Sequence, residues 1–373
     1  MPVSDEHERI PLQTSVTARI AGSGSFLPDT TLNNFDLYEK ESIRSVFDVE
    51  RARSSLRDVE AVEDLSAVQV FDEWARQVTG IRERRVLEWG GDLTTEHMCA
   101  EATRRALSSA GMEASELDLL LVASLTGAEE VPNEACTVGE TLGVPKLGGF
   151  TMNVACAGFV YAIATANAFI RGGLANNVAV VSGDALSRIT AYTDPKTAVL
   201  FGDGAGAVIL TPSTAGDGIL GTPHLSASYD RDPLFLIGQG WETEDEPSPK
   251  LHMEGGPRIL RRAILNMTGI ADQTLASTGR GWDEVDLVIP HQANLRITKG
   301  IEKQLALAKG RVLHTIHRYG NMSASTVAVT LDEALHGVHG PLPDPALIVL
   351  TAIGGGYTSA AVVVEHRGGE VAR

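Results

Sequence analysis

A run of apolar and small residues extends from Gly148 to Gly173, GGFTMNVACAGFVYAIATANAFIRGG, and is nearly free of charge. Residues 149–154 have the length and composition of a short buried strand. Residues 157–171 contain good helix formers and no proline, and their apolar positions cover all sides of a helix. The pattern predicts a strand followed by a helix that is buried all round and ends at the glycine pair 172–173.

The rest of the chain alternates apolar runs of strand length with helical patterns. Strands are predicted at 16–21, 117–123, 177–182, 285–289, 312–315, 346–351 and 359–364, and helices at 94–110, 134–142, 257–277, 295–308 and 325–336. This alternation indicates an α/β protein with parallel crossovers.

Two short motifs near the ends of the two halves of the chain are alike. FGDGAGAVIL (201–210) and IGGGYTSAAVVV (353–364) each place a glycine turn before an apolar strand. The similarity of the two motifs indicates a duplication of one α/β unit, with an N-terminal half at 1–215 and a C-terminal half at 216–373. Because GDGAG leads into a strand and lacks the Lys-Ser/Thr pair, we interpret it as a tight bend between two strands at 198–210, not as a phosphate-binding loop.

Polar residues dominate three segments. Residues 33–67 are dense in charge, with spaced apolar positions that suit one or two amphipathic helices. We interpret them as a surface insertion, and a partner-docking role is the alternative. The arginine-rich segment 81–92 is predicted to be exposed, and the acidic segment 216–249, which includes Trp241, to be rich in loops.

The composition narrows the function classes. The 373 residues carry a formal net charge of −17 at pH 7, which argues against nucleic acid or an anionic membrane as the main partner. The 3 cysteines are too few and too scattered for a disulfide framework or a zinc site, so no metal is expected. The polar N-terminus has no signal-peptide pattern, and the apolar runs are too short to span a membrane. We therefore expect a cytoplasmic protein.

Three polar side chains, Cys156, His291 and Asn321, each follow a predicted strand and precede a predicted helix. Reactive groups in open α/β sheets gather at the carboxyl ends of strands, so these side chains could converge on one pocket. A thiol at a helix N-terminus faces unpaired N–H groups and the positive end of the helix dipole, which predicts a stabilised thiolate at Cys156. The turn 354–356 offers unhindered N–H groups that suit an oxyanion hole. From these residues alone, a structural cysteine and histidine and a plain turn at Asn321 stay open as alternatives.

The motifs around these residues resemble a known family. NVACAGFVYA, FGDGAGAVIL, PHQANLRI, HRYGNMSAS and GGGYTSAA are similar, in that order, to the signature blocks of ketoacyl-ACP synthase III enzymes of the thiolase superfamily. DEWARQVTGIRERR resembles the N-terminal block of that family, so the resemblance covers the chain from Val16 to its C-terminal end. It implies a duplicated thiolase-like fold of two α/β halves stacked in five layers, αβαβα, and a homodimer.

The resemblance also implies a mechanism. Cys156 would take an acyl group from an acyl-CoA or an acyl carrier, and the backbone N–H groups of Cys156 and Gly355 would form the oxyanion hole. His291 and Asn321 would hold the carbonyl of a malonyl-type thioester while CO₂ leaves, and the resulting carbon would attack the Cys156 thioester. Coenzyme A thioesters would then be substrates, and no cofactor is implied.

Further positions match binding residues of the family. Trp74 and Arg188 correspond to residues that contact the adenine end of coenzyme A, and Arg296 corresponds to a residue that docks the acyl carrier protein. Other basic residues could complete a basic rim: Arg258, Arg261, Arg262, Lys299 and Lys303. Such a rim would favour encounter with an acidic carrier despite the acidic net charge.

The chain departs from the family pattern in two places. The insertion 33–67 is longer than the family usually carries there. The acyl-pocket positions are expected at Val131, Phe201 and Ile353, and the positions near Val131 and Ile353 lack the phenylalanines of short-chain-priming members. Smaller side chains predict a roomier pocket for a longer or branched acyl or β-ketoacyl group. The resemblance implies a role in fatty acid or natural-product (polyketide) biosynthesis.

Two other functions stand as alternatives. The same scaffold could serve an acyltransferase that forms an ester or an amide without decarboxylation. Asn321 cannot act as a base, which favours stabilisation of an enolate over transfer to an alcohol. A catalytically silent partner in a synthase complex is the second alternative, and the intact set of Cys156, His291 and Asn321 argues against it.

Overall fold

The computed structural model describes residues 16–129, 131–230, 234–236, 250–253 and 256–368. The polar N-terminal segment and the acidic stretch around Trp241, both considered above, lie outside the described residues. Within the described ranges, no helix combines the length and the apolar character that crossing a membrane requires.

The N-terminal half contains seven strands and eight α-helices among the described residues. The strands are β1 (Thr17–Phe26), β2 (Thr31–Asn33), β3 (Glu83–Arg85), β4 (Leu119–Ala123), β5 (Gly149–Met152), β6 (Val178–Ala185) and β7 (Asp203–Ser213). The helices are α1 (Asn34–Tyr38), α2 (Glu41–Arg44), α3 (Val49–Ser55), α4 (Ala67–Thr79), α5 (Thr95–Ala110), α6 (Glu134–Leu142), α7 (Gly158–Arg171) and α8 (Pro195–Ala198).

The C-terminal half follows the same style of alternation. Its strands are β8 (Gly218–Asp230), β9 (Leu234–Phe235), β10 (His252–Met253), β11 (Leu287–Pro290), β12 (Ala346–Gly354) and β13 (Gly356–His366). Its helices are α9 (Gly256–Ala276), α10 (Leu295–Gln304), α11 (Ile316–Tyr319) and α12 (Ser325–Leu335). The segment 216–249, predicted to be rich in loops, therefore begins with a strand of 13 residues, β8. This strand pairs with β13 at the edge of the second sheet.

The two main sheets repeat one topology. Their strand orders are β1-β7-β6-β4-β5 and β8-β13-β12-β11. In each sheet the first two pairings are antiparallel and the third is parallel. A parallel bridge between Val288 and Val312 takes the place of β5 in the second sheet, so the strand predicted at 312–315 is reduced to this bridge. The glycine motifs lie on equivalent strands, β7 and β13. The boundary at residue 215, between β7 and β8, stays a prediction.

The helices form three layers around the two sheets. Helix α5 covers β1, β6 and β7 on the outside and packs against α6, whereas α9 covers β8, β12 and β13 and packs against α10. Helices α7 and α12 lie between the sheets and contact both. The result is the α/β thiolase-like fold with its αβαβα layers, as the motifs predict.

The central helix α7 is buried as its apolar pattern predicts. It ends at Arg171 and is followed by Gly172 and by Gly173, whose φ of +69° suits only a glycine at low cost. Its buried Asn167 accepts the backbone N–H of Ala18 in β1 at 3.0 Å. The one amide side chain within this apolar helix therefore has a partner, and the bond fixes α7 against the first sheet.

The GDGAG segment runs into β7 and does not form a bend between two strands. A Cβ on Gly202 would collide with the carbonyl oxygen of Tyr319, and one on Gly206 would lie 2.6 Å from the Cβ of Ala328. Glycine is tolerated in a strand where another backbone approaches closely. The prediction of close packing is confirmed, whereas the two-strand prediction is wrong. The absent side chains let the segment that carries Asn321 lie directly on this strand.

The charged insertion forms three short helices, α1 to α3, in place of the predicted one or two. Polar N-caps at Asn33 and Asp48 begin two of them. The aromatic ring of Phe47 anchors the insertion on α4, with its centroid 4.8 Å from that of Phe71 and 5.2 Å from that of Trp74. The insertion therefore supports the helix that presents Trp74.

The arginine-rich segment is not exposed throughout, because Arg84 is 0% exposed. Its guanidinium donates to the carbonyl oxygens of Leu32 at 3.0 Å and Val199 at 2.9 Å and to Oδ1 of Asn34 at 2.9 Å. Burial lowers the pKa of Arg84 to about 10, which leaves it charged at neutral pH. The prediction of exposure is wrong for Arg84, since its acceptors lie far away along the chain.

Candidate active site

Cys156 lies in a short 3₁₀ turn, Ala155–Ala157, between β5 and α7. Ala155 has a φ of +47°, a left-handed conformation that is uncommon for a residue with a Cβ. Strained backbone of this kind is tolerated where packing over-determines it, often at functional sites. The turn holds the sulfur at the start of the buried helix.

His291 follows the last residue of β11. Its backbone N–H donates to the carbonyl of Thr351 in the neighbouring strand at 2.8 Å. Its Nδ1 lies 2.7 Å from Oγ1 of Thr326 in α12, so Nε2 is the ring nitrogen left for the cleft. The next residue, Gln292, is fully engaged with backbone groups, which include the carbonyl of Leu313 at 3.1 Å. His291 is therefore fixed both through its backbone N–H and through Nδ1 of its ring.

Asn321 lies in the tight loop before α12. Its backbone N–H donates to the carbonyl of Leu200 at 2.8 Å, and its carbonyl accepts the N–H of Gly202 at 3.0 Å. Its side-chain Oδ1 accepts the backbone N–H of Ser323 at 2.9 Å. The loop can turn this sharply because Gly320 adopts a φ of +70°. The side-chain oxygen of Asn321 therefore accepts from Ser323, and the side-chain nitrogen of Asn321 remains as a hydrogen-bond donor.

These three residues line one cleft of about 2100 Å³. The prediction that they converge on a single pocket at the carboxyl ends of strands is therefore confirmed by position. The glycine turn after β12 also lines the cleft, and a Cβ on Gly354 would lie 2.9 Å from the carbonyl oxygen of Val154. This close approach places the backbone of Gly355 beside the turn that carries Cys156.

The ionisation states in the cleft differ from the sequence prediction. The pKa of the Cys156 thiol is raised to about 12, chiefly by burial and to a smaller extent by the Asp184 carboxylate, against the opposing hydrogen bonds of the Ser323 hydroxyl and the Cys156 N–H. The prediction of a stabilised thiolate is therefore wrong, because burial of the sulfur disfavours its charged form. Burial lowers the pKa of His291 to about 3. The resting site thus holds a neutral thiol and a neutral imidazole.

The predicted binding residues are distributed unevenly around the cleft. Trp74, Arg188, Phe201 and Ile353 line it. The guanidinium of Arg188 is already engaged, since it lies over the ring of Trp89 and donates to the carbonyl of Glu88 at 2.9 Å. The aliphatic lining of the cleft includes Leu125, Leu186, Leu200, Leu236 and Leu251.

Val131 does not line this cleft. It lies in the loop between β4 and α6, and its exposure is 88%. An acyl-pocket position at Val131 is therefore not formed within one copy of the chain, because the loop directs this residue to the surface.

The predicted basic rim lies on α9 and α10, which pack against each other. Arg261 and Arg296 line the cleft, and Lys299 is exposed beside them. Arg258 and Arg262 differ, since both donate to Oδ2 of Asp230, at 2.9 and 2.7 Å. Their charge is partly balanced by this carboxylate, so Arg261 contributes more of the net positive field than Arg262 does.

Sequence reasoning missed several polar residues around the site. Ser323 and Thr326 form hydrogen bonds with Asn321 and His291, and Lys196 lines the cleft. Ser323 lies within the HRYGNMSAS motif, two residues after Asn321, and this spacing is a signal for its nearness to the amide. Within the described residues, no three His, Cys, Asp or Glu side chains meet as a metal site would require.

Comparisons with known proteins point to one family. The family models for 3-oxoacyl-[acyl-carrier-protein (ACP)] synthase III and for its C-terminal part match residues 150–227 and 275–366. A β-ketoacyl-[acyl-carrier-protein] synthase III of Xanthomonas campestris pv. campestris is 35% identical over 355 residues, which cover 94% of this chain and 99% of that protein.

Solved structures give the same result. The 3-oxoacyl-[acyl-carrier-protein] synthase III from Aquifex aeolicus VF5 has a TM-score of 0.78 at 33% identity, covering 94% of this chain and 100% of its own. The priming β-ketosynthase from the R1128 polyketide biosynthetic pathway has a TM-score of 0.80 at 26% identity, covering 97% of this chain and 99% of its own. The chain belongs to the β-ketoacyl-[acyl-carrier-protein] synthase III family of condensing acyltransferases, as its motifs predict.

Proposed function

We propose that this enzyme loads an acyl group onto Cys156 and then condenses it with a malonyl-type thioester, with loss of CO₂. The observation that carries the proposal is that the neutral thiol of Cys156, the neutral imidazole of His291 and the side chain of Asn321, whose amide nitrogen remains as a donor, line one cleft of about 2100 Å³. A sulfur nucleophile needs a proton acceptor, and a developing enolate needs hydrogen-bond donors. These residues supply both.

Loading is the first half-reaction. The sulfur of Cys156 attacks the carbonyl carbon of an acyl thioester, and a tetrahedral oxyanion forms. The backbone N–H groups of Cys156 and Gly355 are the proposed donors to this oxyanion, and each such donor contributes roughly 10²–10³ in rate. The carbon–sulfur bond to the leaving thiolate then breaks, which leaves the acyl group on Cys156.

Condensation is the second half-reaction. Asn321 and His291 hold the thioester carbonyl of the malonyl group, and the carbon–carbon bond to the carboxylate breaks as CO₂ leaves. The electrons of that bond form the enolate, whose carbon attacks the acyl group on Cys156 and releases the sulfur. Because Asn321 donates through its amide nitrogen, it stabilises the enolate without taking a proton.

Release of CO₂ separates this proposal from the alternative acyltransferase. With a carboxyl-labelled malonyl thioester and an acyl-CoA, the condensing enzyme releases one labelled CO₂ per β-ketoacyl product. An acyltransferase that forms esters or amides would consume acyl-CoA without any labelled CO₂. Addition of a chelator should leave the condensation rate unchanged, because the proposed steps require no metal ion.

We propose a longer or branched acyl group as the substrate of the first half-reaction. The aliphatic cleft lining supports this, and so does the residue Ile353, which occupies a position where bulkier aromatic side chains would narrow the pocket. A panel of acyl-CoAs from acetyl to medium and branched chains tests the proposal. Loading that is much faster with acetyl-CoA than with any longer chain would contradict it.

We propose that Trp74 and Arg188 contact coenzyme A and that Arg261, Arg262, Arg296 and Lys299 dock an acidic acyl carrier protein. The position of α9 and α10 at the cleft supports the docking surface. Lys299→Glu, at an exposed position outside the cleft lining, should raise KM for a carrier-bound malonyl group while it leaves KM for malonyl-CoA unchanged. Arg51→Glu, on the exposed face of the insertion, is the matched control.

We also propose a cytoplasmic homodimer that acts in fatty acid or polyketide biosynthesis. Strand β5 lies at the edge of the first sheet, where a second copy could extend the pairing, and the exposed Val131 lies in the loop next to it. The free thiols of Cys99, Cys136 and Cys156 suit a reducing compartment. Light scattering of the purified chain tests the dimer, and a monomer at micromolar concentration would contradict it.

A further inference from the structure

Arg57 lies in the charged insertion, two residues after the end of α3, and it is exposed. One side chain of α4 fixes its backbone. The N–H of Arg57 donates to Oε1 of Gln77 at 3.1 Å, and Nε2 of Gln77 donates to the carbonyl of Arg57 at 2.8 Å. The preceding residue, Leu56, is buried in an apolar cluster with Val70 of α4. The backbone of this exposed arginine is therefore held against α4.

The backbone that follows Arg57 is left-handed at two residues. Asp58 has a φ of +55°, and Ala61 has a φ of +48°. This conformation is costly for a residue with a Cβ, so it persists only where the surrounding structure determines it, and such residues cluster at functional sites. Arg57 thus begins a segment of defined conformation, which is more than a surface loop needs in order to connect two helices.

The guanidinium of Arg57 differs from those of two other arginines in the insertion. Nη2 of Arg44 lies 2.6 Å from Oε2 of Glu41, and Nε of Arg53 lies 3.5 Å from Oε1 of Glu50. Across the residues that the structure describes, no ion pair or hydrogen bond engages the guanidinium of Arg57, whose bonds to Gln77 involve only its backbone. A cation that is fixed in place and left unpaired is available to an anionic group from outside the chain.

Gln77 also connects Arg57 to the mouth of the cleft. The backbone carbonyl of Gln77 accepts Nη2 of Arg296 at 2.7 Å. Arg296 is exposed and lines the cleft, whereas Arg57 is not among the residues that line it. The two arginines therefore lie against the same residue of α4, one at the mouth and the other outside it. A ligand within the cleft meets Arg296 alone, but a protein that rests over the mouth can meet both.

We infer that Arg57 extends the carrier-docking surface from α9 and α10 onto the insertion, where its guanidinium pairs with an acidic side chain of an acyl carrier protein. The inference rests on the proposed function, because it concerns the carrier that delivers the malonyl group to the same cleft. Arg57 lies outside the cleft lining, so it acts on the docking of the carrier and not on the reacting atoms.

Charge favours an acidic carrier as the occupant of this surface. The chain has a formal net charge of −17, so it repels an acidic protein unless cations are concentrated where that protein must bind. Arg296 and Lys299 supply such cations at the start of α10, and Arg57 adds another on the far side of Gln77. Complementary charges of this kind raise the rate of encounter and fix the register of the partner.

Kinetics with two malonyl donors test the inference. The donors are a bacterial acyl carrier protein loaded with a malonyl group, and malonyl-CoA. Arg57→Glu should raise KM for the carrier-bound donor by about 3–10-fold, because an attraction becomes a repulsion, and should leave KM for malonyl-CoA unchanged. At about 1 M salt, where the Debye length is about 3 Å, the two enzymes should have nearly equal KM for the carrier-bound donor.

Two further variants serve as controls. Arg51→Glu makes the same change of charge at an exposed position of the same insertion, within α3, and should change KM for the carrier-bound donor by less than about twofold. Arg57→Lys keeps the charge and should stay close to wild type. Equal increases in Arg51→Glu and Arg57→Glu would show that only the net charge of the insertion matters, and would overturn the inference.

The remaining outcomes separate this inference from the proposed function. If Lys299→Glu raises KM for the carrier-bound donor and Arg57→Glu does not, the inference fails while the docking surface on α10 stands. If Arg57→Glu raises KM for malonyl-CoA equally, Arg57 acts on coenzyme A phosphates and the inference is wrong. If wild type condenses neither donor, the proposed function fails. Binding of the carrier alone, measured by calorimetry, then still shows whether Arg57→Glu weakens docking.

Discussion

The backbone N–H of Ser323 donates to Oδ1 of Asn321 at 2.9 Å, and this bond determines which end of the amide faces the cleft. Ser323 can aim its N–H in this direction because its backbone is left-handed, with a φ of +53°. The nitrogen of the Asn321 side chain is therefore the atom that meets a substrate. An asparagine held in this way is a fixed donor, which suits a carbonyl that becomes an enolate.

Asn321→Asp should separate the two half-reactions. The new carboxylate can still accept from Ser323, but it offers no donor and places negative charge against the enolate. We expect CO₂ release to fall by about 10²–10³-fold while loading of Cys156 is retained. Labelled CO₂ and intact-protein mass spectrometry measure the two steps. The same exchange at the helix cap, Asn133→Asp, should change neither step.

The loading rate should be nearly independent of pH between about 5 and 8. Burial lowers the pKa of His291 to about 3, so the charge of the imidazole does not change between pH 5 and 8. An ordinary histidine with a pKa near 6.5 would lose roughly thirtyfold in its neutral fraction at pH 5. The Asp184 carboxyl has its pKa raised to about 6 by burial, and its protonation would make the thiol of Cys156 easier to ionise. A steep fall in the loading rate below pH 6.5 would therefore contradict the account.

Glu134 should make the fold less stable as the pH rises. The pKa of this carboxyl is raised to about 8, chiefly by burial and to a smaller extent by the nearby Asp184, against the opposing hydrogen bond of Ser124. The folded chain thus holds a proton that the unfolded chain releases above about pH 4.5, so the stabilisation present at low pH is lost between about pH 4.5 and 8. Glu134→Gln removes this penalty. The free energy of unfolding of the variant, relative to that of wild type, should therefore be higher at pH 9 than at pH 4 by on the order of 1–4 kcal/mol.

Urea unfolding at both pH values measures this difference. The exposed Glu140 lies on the same helix, and Glu140→Gln serves as the control, for which the difference between wild type and variant should not depend on pH. If the difference in the free energy of unfolding between wild type and Glu134→Gln is the same at pH 4 and pH 9, the carboxyl of Glu134 is not protonated in the folded wild-type chain.

Arg84 should be required for folding rather than for chemistry. Arg84→Leu leaves the carbonyls of Leu32 and Val199 without their donor, and we expect a loss of about 3–5 kcal/mol in the free energy of unfolding. Arg82→Leu, two residues earlier and exposed, should change it by less than about 0.5 kcal/mol. Equal, small losses in both variants would show that the buried guanidinium contributes little.

The sequence predicts those features that depend on local pattern. The all-round apolar run before Arg171 predicts a central helix, and the position of Cys156, His291 and Asn321 after apolar strands predicts a common pocket. The sequence predicts both features because the end of a strand and the start of a helix are determined by residues that are close together along the chain. The predicted close packing at GDGAG also holds, because a glycine row in an apolar strand leaves room for a neighbouring backbone.

What the sequence could not provide depends on distant contacts. The burial of Arg84 requires Val199, which follows α8 and lies 115 residues further along the chain. The thiol of Cys156 stays protonated because distant elements pack around it and desolvate the sulfur, although the residue is partly exposed to the cleft, and no local dipole predicts that packing. Thr326 meets His291 only after α12 packs on the strand ends, so its hydroxyl carries no signal in the sequence.

Mass spectrometry of the acyl-enzyme tests the central claim most directly. After incubation with medium-chain or branched acyl-CoA, wild type should gain the mass of one acyl group per chain, and peptide mapping should place it on Cys156. Cys156→Ala should gain nothing, although Cys99 and Cys136 are also free thiols. Acylation that persists in Cys156→Ala, or that maps to another residue, would contradict the account.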